Sequence, residues 1–329
     1  MPQFGYQTLG FGSGTSDSGL PIPAWGGTRT MYAGGTDDSD LTNVVQSKTV
    51  ASTSACTDYG DLTLARMELA SLSNQTYMYT AGGVENDSDR TNRLDRKVFA
   101  SDANATDYAD VQSDPLYYMG SGVSDGSRGC WGGGQSGSGG EGTLIDGIRF
   151  MNLATEAYTR TFGDLSADRS RHVGHDGDTY GYWAGGYTGG PSETKVKTID
   201  YITIASESNT SDFGDLSEEF TELAAVGSQV RIVFGGGSKA NNYTHNSMEY
   251  MTVGTSGSTT TFGTLAGGQS FYQMAGSGDA TKGEFMGGMG NWSGISRITY
   301  AFTIATTGNA TGHYGLISAL HSGDCSTGI

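Results

Sequence analysis

Three short markers recur six times in the same order along this chain, and that periodicity constrains the fold more than any other feature. The first is an aromatic residue, a small residue and an acidic or polar one. It reads Tyr59-Gly60-Asp61-Leu62, Tyr108-Ala109-Asp110-Val111, Phe162-Gly163-Asp164-Leu165, Phe213-Gly214-Asp215-Leu216, Phe262-Gly263-Thr264-Leu265 and a worn Tyr314-Gly315-Leu316. The aromatics lie 49, 54, 51, 49 and 52 residues apart. Ahead of each stands an apolar residue followed by a small one: Val50-Ala51, Phe99-Ala100, Leu153-Ala154, Ile204-Ala205, Val253-Gly254 and Ile304-Ala305. The third marker is a double glycine: Gly34-Gly35, Gly82-Gly83, Gly132-Gly133, Gly185-Gly186, Gly235-Gly236 and Gly287-Gly288.

Each unit reads as β structure. Ile199-Asp200-Tyr201-Ile202-Thr203-Ile204-Ala205 alternates apolar and polar at period two. Tyr180 to Ala184 runs into a double glycine, Asp212 to Leu216 is a short strand, and Phe220 to Val226 is expected to be the fourth of that unit. Four short strands per ~50 residues predict an all-β chain, a six-bladed β-propeller with four-stranded, kelch-like blades over residues 28–329. The glycine pair is expected to let the backbone leave a strand where inner strands crowd together. Only Gly315 to Ile329 follow the last aromatic, and Arg29 to Ala33 precede the first full unit. The ring is therefore expected to close by the N-terminal strand, residues 28–36, completing the last blade. Closure removes free sheet edges. Residues 1–27, with Phe4, Tyr6, Leu9, Phe11 and Trp25 among Gly, Ser and Pro, read as an N-terminal arm or coat segment.

Composition excludes several classes. Glycine contributes 54 of 329 residues, more than twice the usual ~7%, and the 18 Tyr argue against a disordered chain. The net charge of −17 repels nucleic acid and anionic lipid. No apolar run reaches the ~18 residues of a membrane helix, so membrane insertion is not expected. The opening MPQFGYQTLG has neither a basic n-region nor an apolar h-region. Cys56, Cys130 and Cys325 lack metal-ligand spacing and cannot build a disulfide framework.

Candidate chemistry is sparse. Asp37-Asp38-Ser39-Asp40 and Glu85-Asn86-Asp87-Ser88-Asp89 lack EF-hand spacing and read as solvated turns. His172 and His175, an isolated pair, read as a loop and not a metal site. No metal, cofactor or catalytic residue is assigned. The recurring Asp61, Asp110, Asp164 and Asp215 read as turn devices that accept hydrogen bonds from backbone amides. The Gly/Ser-rich stretch from Gly132 to Gly142 reads as a long flexible loop where unit-specific function would reside. Trp131 and Trp183 are expected to pack between blades. Tyr187, Tyr243 and Trp292, beyond the glycines, are the candidate binding residues, as exposed rings able to stack on a sugar face.

The text Ile199 to Ala205 with Asp212 to Leu216, and the partial copies Asn104-Ala105-Thr106-Asp107-Tyr108 and Gly308-Asn309-Ala310-Thr311, resembles the kelch-like repeat of virion proteins of tailed phages of aquatic bacteria. The resemblance implies a non-enzymatic structural component of a tail, fibre, baseplate or capsid surface. It would be assembled in the host cytoplasm and carried on the exterior of the particle. Its implied partners are other virion subunits, further copies of the chain and a host-surface glycan. A secreted carbohydrate-binding or carbohydrate-active propeller is the alternative.

Overall fold

The computed structural model describes residues 27–328 apart from 51, 86–88, 113–115, 118–119, 138–141, 156–157, 190–193, 240–242 and 291–293. The expected arm over residues 1–27 lies, but for Gly27, outside the described residues. Within them the protein is all-β, its only helical element being the 3-10 turn Ala266–Gly268. Six antiparallel sheets of four strands each account for most of the chain.

The fourth sheet is representative: Val173–Asp176, Tyr180–Ala184, Thr198–Thr203 and Ser211–Asp215, hydrogen-bonded in that order. Its first member, here called the leading strand, has counterparts in Ala70–Ser73, Val123–Ser124, Ala224–Gly227 and Ala275–Gly278. This phase corrects the sequence expectation. Phe220 to Val226 is not the last strand of its unit. Phe220–Thr221 pairs with Ser238–Lys239, and Ala224–Gly227 leads the following sheet. An apolar run beside a turn carries no mark of which neighbouring sheet it joins.

The chain ends meet with a similar shift. Arg29–Ala33 pairs with Asp324–Gly328, Arg29 opposite Gly328 and Ala33 opposite Asp324. The sixth sheet already holds four strands without this pair, ending with Ile298–Thr303 and Thr311–Tyr314. The expected pairing of the two ends is present, but the last strand completes the first sheet, not the reverse. Leading strands contact one another in succession: Asp324–Gly328 touches Ala70–Ser73 and Ala275–Gly278, and Val173–Asp176 touches Val123–Ser124 and Ala224–Gly227.

The repeated residues join neighbouring units. At the double glycines both residues take positive φ, as in Gly185 at 66° and Gly186 at 103°. Gly186 N–H donates to Phe220 O at 2.7 Å, in the segment entering the next sheet, and a Cβ on Gly186 would stand 2.6 Å from Ser170 O. Two of the pairs lie one residue later than the sequence suggests. They are Gly133-Gly134 and Gly236-Gly237, because Gly132 and Gly235 still belong to strands Arg128–Gly132 and Arg231–Gly235. In a run of three glycines, composition cannot say which two turn.

The aromatic-Gly-Asp marker works by close approach. A Cβ on Gly163 would lie 2.2 Å from Ser208 O, so the next unit's outer loop rests directly on this backbone. Asp164 N–H then donates to Asn209 Oδ1 at 3.1 Å, and Thr210 N–H donates to Asp164 O at 2.9 Å. Asn104 and Asn309 accept in the same way from Asp61 and Thr264 N–H. The neighbouring unit thus uses the backbone of the recurring acidic position, and Thr264 serves as well. The expected role of its carboxylate as an amide acceptor is not what these bonds depend on.

The carboxylates that cap turns lie elsewhere. Asp200 accepts from Ser166 N–H at 3.0 Å and Ser166 Oγ at 2.8 Å, and pairs with buried Arg169 at 3.0 Å. Asp95 does the same with Thr63 and Arg66. Apolar packing fills the space between sheets. Trp131 sits with Leu72, Tyr79 and Leu153, and Trp183 with Val123, Cys130, Ile148 and Ile202. Burial of rings this large dominates such interfaces.

Candidate functional site

Two residues ahead of a leading strand, five units place a residue with left-handed backbone: Glu68 (φ 57°), Arg171 (53°), Glu222 (58°), Gln273 (55°) and Ser322 (56°). Their backbones join head to tail. Glu222 N–H donates to Arg171 O at 2.8 Å, Gln273 to Glu222 at 3.1 Å, Ser322 to Gln273 at 3.2 Å and Glu68 to Ser322 at 2.7 Å. A left-handed non-glycine residue costs about 1–2 kcal/mol. Glycine takes the left-handed positions of the double glycines, whereas these five positions keep polar side chains.

Those side chains line one cavity of about 90 Å³, together with Ser121, His172 and Asp324. Arg171 Nη1 donates to Glu222 Oε1 at 2.9 Å, and Gln273 Nε2 donates to the same oxygen at 3.0 Å. His321 Nδ1 lies 2.9 Å from Gln273 Oε1, while its Nε2 lies 2.9 Å from Asp38 Oδ1. The network thus runs from the fourth unit to the turn after the first double glycine.

Asp324 is 6% exposed and accepts from Ser71 N–H at 2.6 Å, Cys325 N–H at 2.8 Å and Ser121 Oγ at 3.3 Å. Desolvation outweighs these bonds and pushes its carboxyl up to about 7. Burial holds His172 neutral, its value pushed down to about 3 with Arg171's neighbour Arg169 adding to the effect. Its Nε2 lies 3.0 Å from Gly132 O, and its Nδ1 has no hydrogen-bond partner among the described residues. Ser121 also borders a second cavity of about 40 Å³, reaching Ser71, His175, Asp176, Ser277 and Thr327. There burial raises the Asp176 carboxyl well above its ordinary range and lowers His175 to about 3.

Asp324 carries a pH signature. Its folded value lies above the unfolded one, so it contributes full stability below pH ~4 and loses it as pH rises toward 7. The difference in Tm between Asp324→Asn and the parent is expected to grow in the variant's favour between pH 4 and 7, then level off. At ~1.4 kcal/mol per pH unit the full effect is about 2–4 kcal/mol. A difference that is flat with pH rules this out. Comparison with the variant isolates Asp324 from His172 and His175, whose depressed values act in the opposite sense.

Tyr187 and Tyr243 fall on strands that follow successive double glycines. Tyr187 opens Tyr187–Thr188, is half-buried, and lies 5.8 Å from Arg171 and 5.5 Å from Lys195 across its ring face. Its backbone bridges Ser170, beside Arg171, but it is not among the residues that line the cavity. Tyr243 opens strand Tyr243–Thr244 on the next hairpin, and Trp292 lies outside the described residues. Of the Gly132 to Gly142 stretch, expected as a flexible loop, Gln135–Ser136 is a strand paired with Thr143–Leu144 beyond it, and residues 138–141 lie outside the described residues. His172 and His175 belong to a buried strand and its approach, not to a loop. Asp37 Oδ1 accepts from Ser39 and Asp40 N–H at 2.9 Å each, which holds the turn locally. No group of three metal-ligating side chains occurs among the described residues, and no helix is long and apolar enough to cross a membrane.

The left-handed positions were missed in the sequence because they differ in chemistry from unit to unit. Their constant offset ahead of each leading strand was the available signal, hidden by the misassigned phase of Phe220 to Val226. No protein-family model matches this chain, and no curated protein matches it.

Proposed function

We propose that the six sheets are the blades of a closed kelch-like propeller, and that the protein is a structural and binding component of a phage virion. The observation that carries the ring is that bonds between successive units recur between the sixth and the first. Ala105 N–H donates to Asp61 O at 2.7 Å, and Cys56 N–H donates to Gly315 O at 2.6 Å in the corresponding place. Lys48 of the first sheet pairs with Glu284 of the sixth at 2.9 Å, and Thr30 bonds Ser277 across the same junction. The succession of leading-strand contacts also favours a circuit.

The virion reading rests on the phage-like repeat text, with a negatively charged surface suited to partners other than nucleic acid. In a closed ring the repeated residues are consumed in holding units together, and the polar mouth at the left-handed residues is a place to meet a partner. This supports a docking module, and no reaction is assigned to it.

Two measurements test the proposal. Class averages of the isolated protein by electron microscopy are expected to be discs with six lobes; another count or an open array overturns the ring. Mass spectrometry of gradient-purified, salt-washed particles is expected to recover the protein in stoichiometric amount. Its absence from washed particles overturns the virion role while leaving the ring untouched.

A further inference from the structure

The six sheets differ at their outer edges. In the first five, the pairing of the outermost strand with its neighbour breaks register, as between Ile199 and Asp200 or between Met248 and Glu249. A bulge of this kind twists an edge away from further pairing. The sixth sheet pairs without a break, from Ile298 opposite Tyr314 to Ala301 opposite Thr311. Its outermost strand, Thr311–Tyr314, also lacks the caps found elsewhere. Asn104, Asn209 and Asn309 accept from the preceding unit's outer strand, and the residue after each donates its N–H to that strand. Cys56 N–H donates in this way to Gly315 O, but Ala55 stands before it in place of asparagine. Where Gly60, Gly163, Gly214 and Gly263 lie under a neighbour's carbonyl, the sixth unit has Tyr314, 66% exposed. Four of the other five outer strands carry aspartate; the remaining one, Thr260–Thr264, is bulged and capped by Asn309. Gly315 N–H donates to Arg297 O, so by antiparallel alternation the backbone N–H and C=O of Gly312 and Tyr314 face away from the sheet. Among the described residues no neighbouring unit bonds to either backbone.

We propose that this edge joins a second copy of the chain, Thr311–Tyr314 pairing antiparallel with the same strand of the partner about a twofold axis at His313. In that register Gly312 stands opposite the partner's Tyr314, and each such pair exchanges both backbone hydrogen bonds, so that two sheets become one. An aromatic ring opposite an edge glycine covers the backbone that the glycine leaves bare. The occupant follows from the register, because the edge itself supplies one tyrosine for each exposed glycine. Self-pairing of the aspartate-bearing outer strands would instead bring like charges together across the axis, which destabilises a sheet. Arg297, 5.0 Å from the Tyr314 ring centroid, steadies the ring, and Ile317, 45% exposed, extends the apolar surface beside it.

The pairing stands on the sixth sheet alone and depends neither on ring closure nor on a place in a virion. Sedimentation equilibrium of the full chain in about 0.3 M salt screens the −17 carried by each copy. The mean mass is expected to rise with concentration to a plateau at two chains. Amide hydrogen exchange at Gly312 and Tyr314 is expected to slow over the same range. Gly312→Pro removes the outward N–H at a position where an edge strand tolerates proline, and Tyr314→Lys sets a charge on the edge. Each variant, checked for an intact thermal transition, is expected to raise the dissociation constant at least about tenfold, or ~1.4 kcal/mol. If Gly312→Pro loses its transition, Tyr314→Lys, at an exposed side chain, decides alone. A parent chain that stays monomeric at the highest concentration reached overturns the inference, as does a mass that climbs past two chains. Folded variants that associate as the parent does overturn it too.

Discussion

A chain ended at Gly323 is expected to lose its cooperative thermal transition, or to retain one lowered by at least about 10 °C. The missing strand, Asp324–Gly328, pairs with Arg29–Ala33 over five residues and is buried throughout. Its loss removes backbone bonds worth about 0.5–1.5 kcal/mol each. It also removes the Asp324 acceptor from Ser71 N–H and the Thr327 partner of Ser277 and Gly278. Arg29–Ala33 then becomes a bare edge, which invites aggregation. At ~2–4 °C per kcal/mol for a chain of this size, a loss of about 5 kcal/mol gives the stated drop. Addition of a synthetic peptide spanning the missing strand should restore part of the transition, because the strand needs to be present but not covalently joined. A truncated chain that melts within a degree or two of the parent would show that the last strand is dispensable, and with it the proposed closure.

The periodic markers made the β units legible because each marks a contact that every unit must make. Gly163 lies under a neighbour's carbonyl, Asn209 accepts from the preceding unit's backbone, and the double glycine turns where glycine is unstrained. Such demands repeat, so they can be read from one chain. Phase was not legible. Leu223-Ala224-Ala225-Val226 is equally apolar whichever sheet it joins, and the choice is made by long-range pairing with Arg231–Gly235. The same limit reversed the account of the chain ends, although Arg29–Ala33 was correctly expected to pair with the far end of the chain. The mouth was invisible for the opposite reason. Glu68, Arg171, Glu222, Gln273 and Ser322 share a backbone conformation and no chemistry, so a search for repeated residue types passes over them.

Glu284→Ala is expected to destabilise the protein by about 3–5 kcal/mol, the cost of leaving one member of a buried ion pair uncompensated. The Lys48 and Glu284 side chains are 2% and 0% exposed, and Nζ lies 2.9 Å from Oε1. Lys48 Nζ also donates to Ser52 O at 2.9 Å and faces His313 Nε2 at 3.2 Å, so the ammonium is held on several sides when its counter-ion is lost. Lys48→Met paired with Glu284→Met should be far milder, within about 1–2 kcal/mol of the parent, because two apolar chains of similar volume remove both charges together. The contrast between single and double variants in urea unfolding measures the coupling between the first and sixth sheets. Strict additivity would mean that the two side chains do not interact, and would remove this pair from the argument for closure. If coupling appears in Cm while the m-value stays constant, the junction stabilises the folded state without altering the surface exposed on unfolding. That is the behaviour expected when the first and last units belong to one cooperative body. If instead the m-value falls with the single substitution, the junction opens before the rest, and the first sheet is then the least stable part of the molecule.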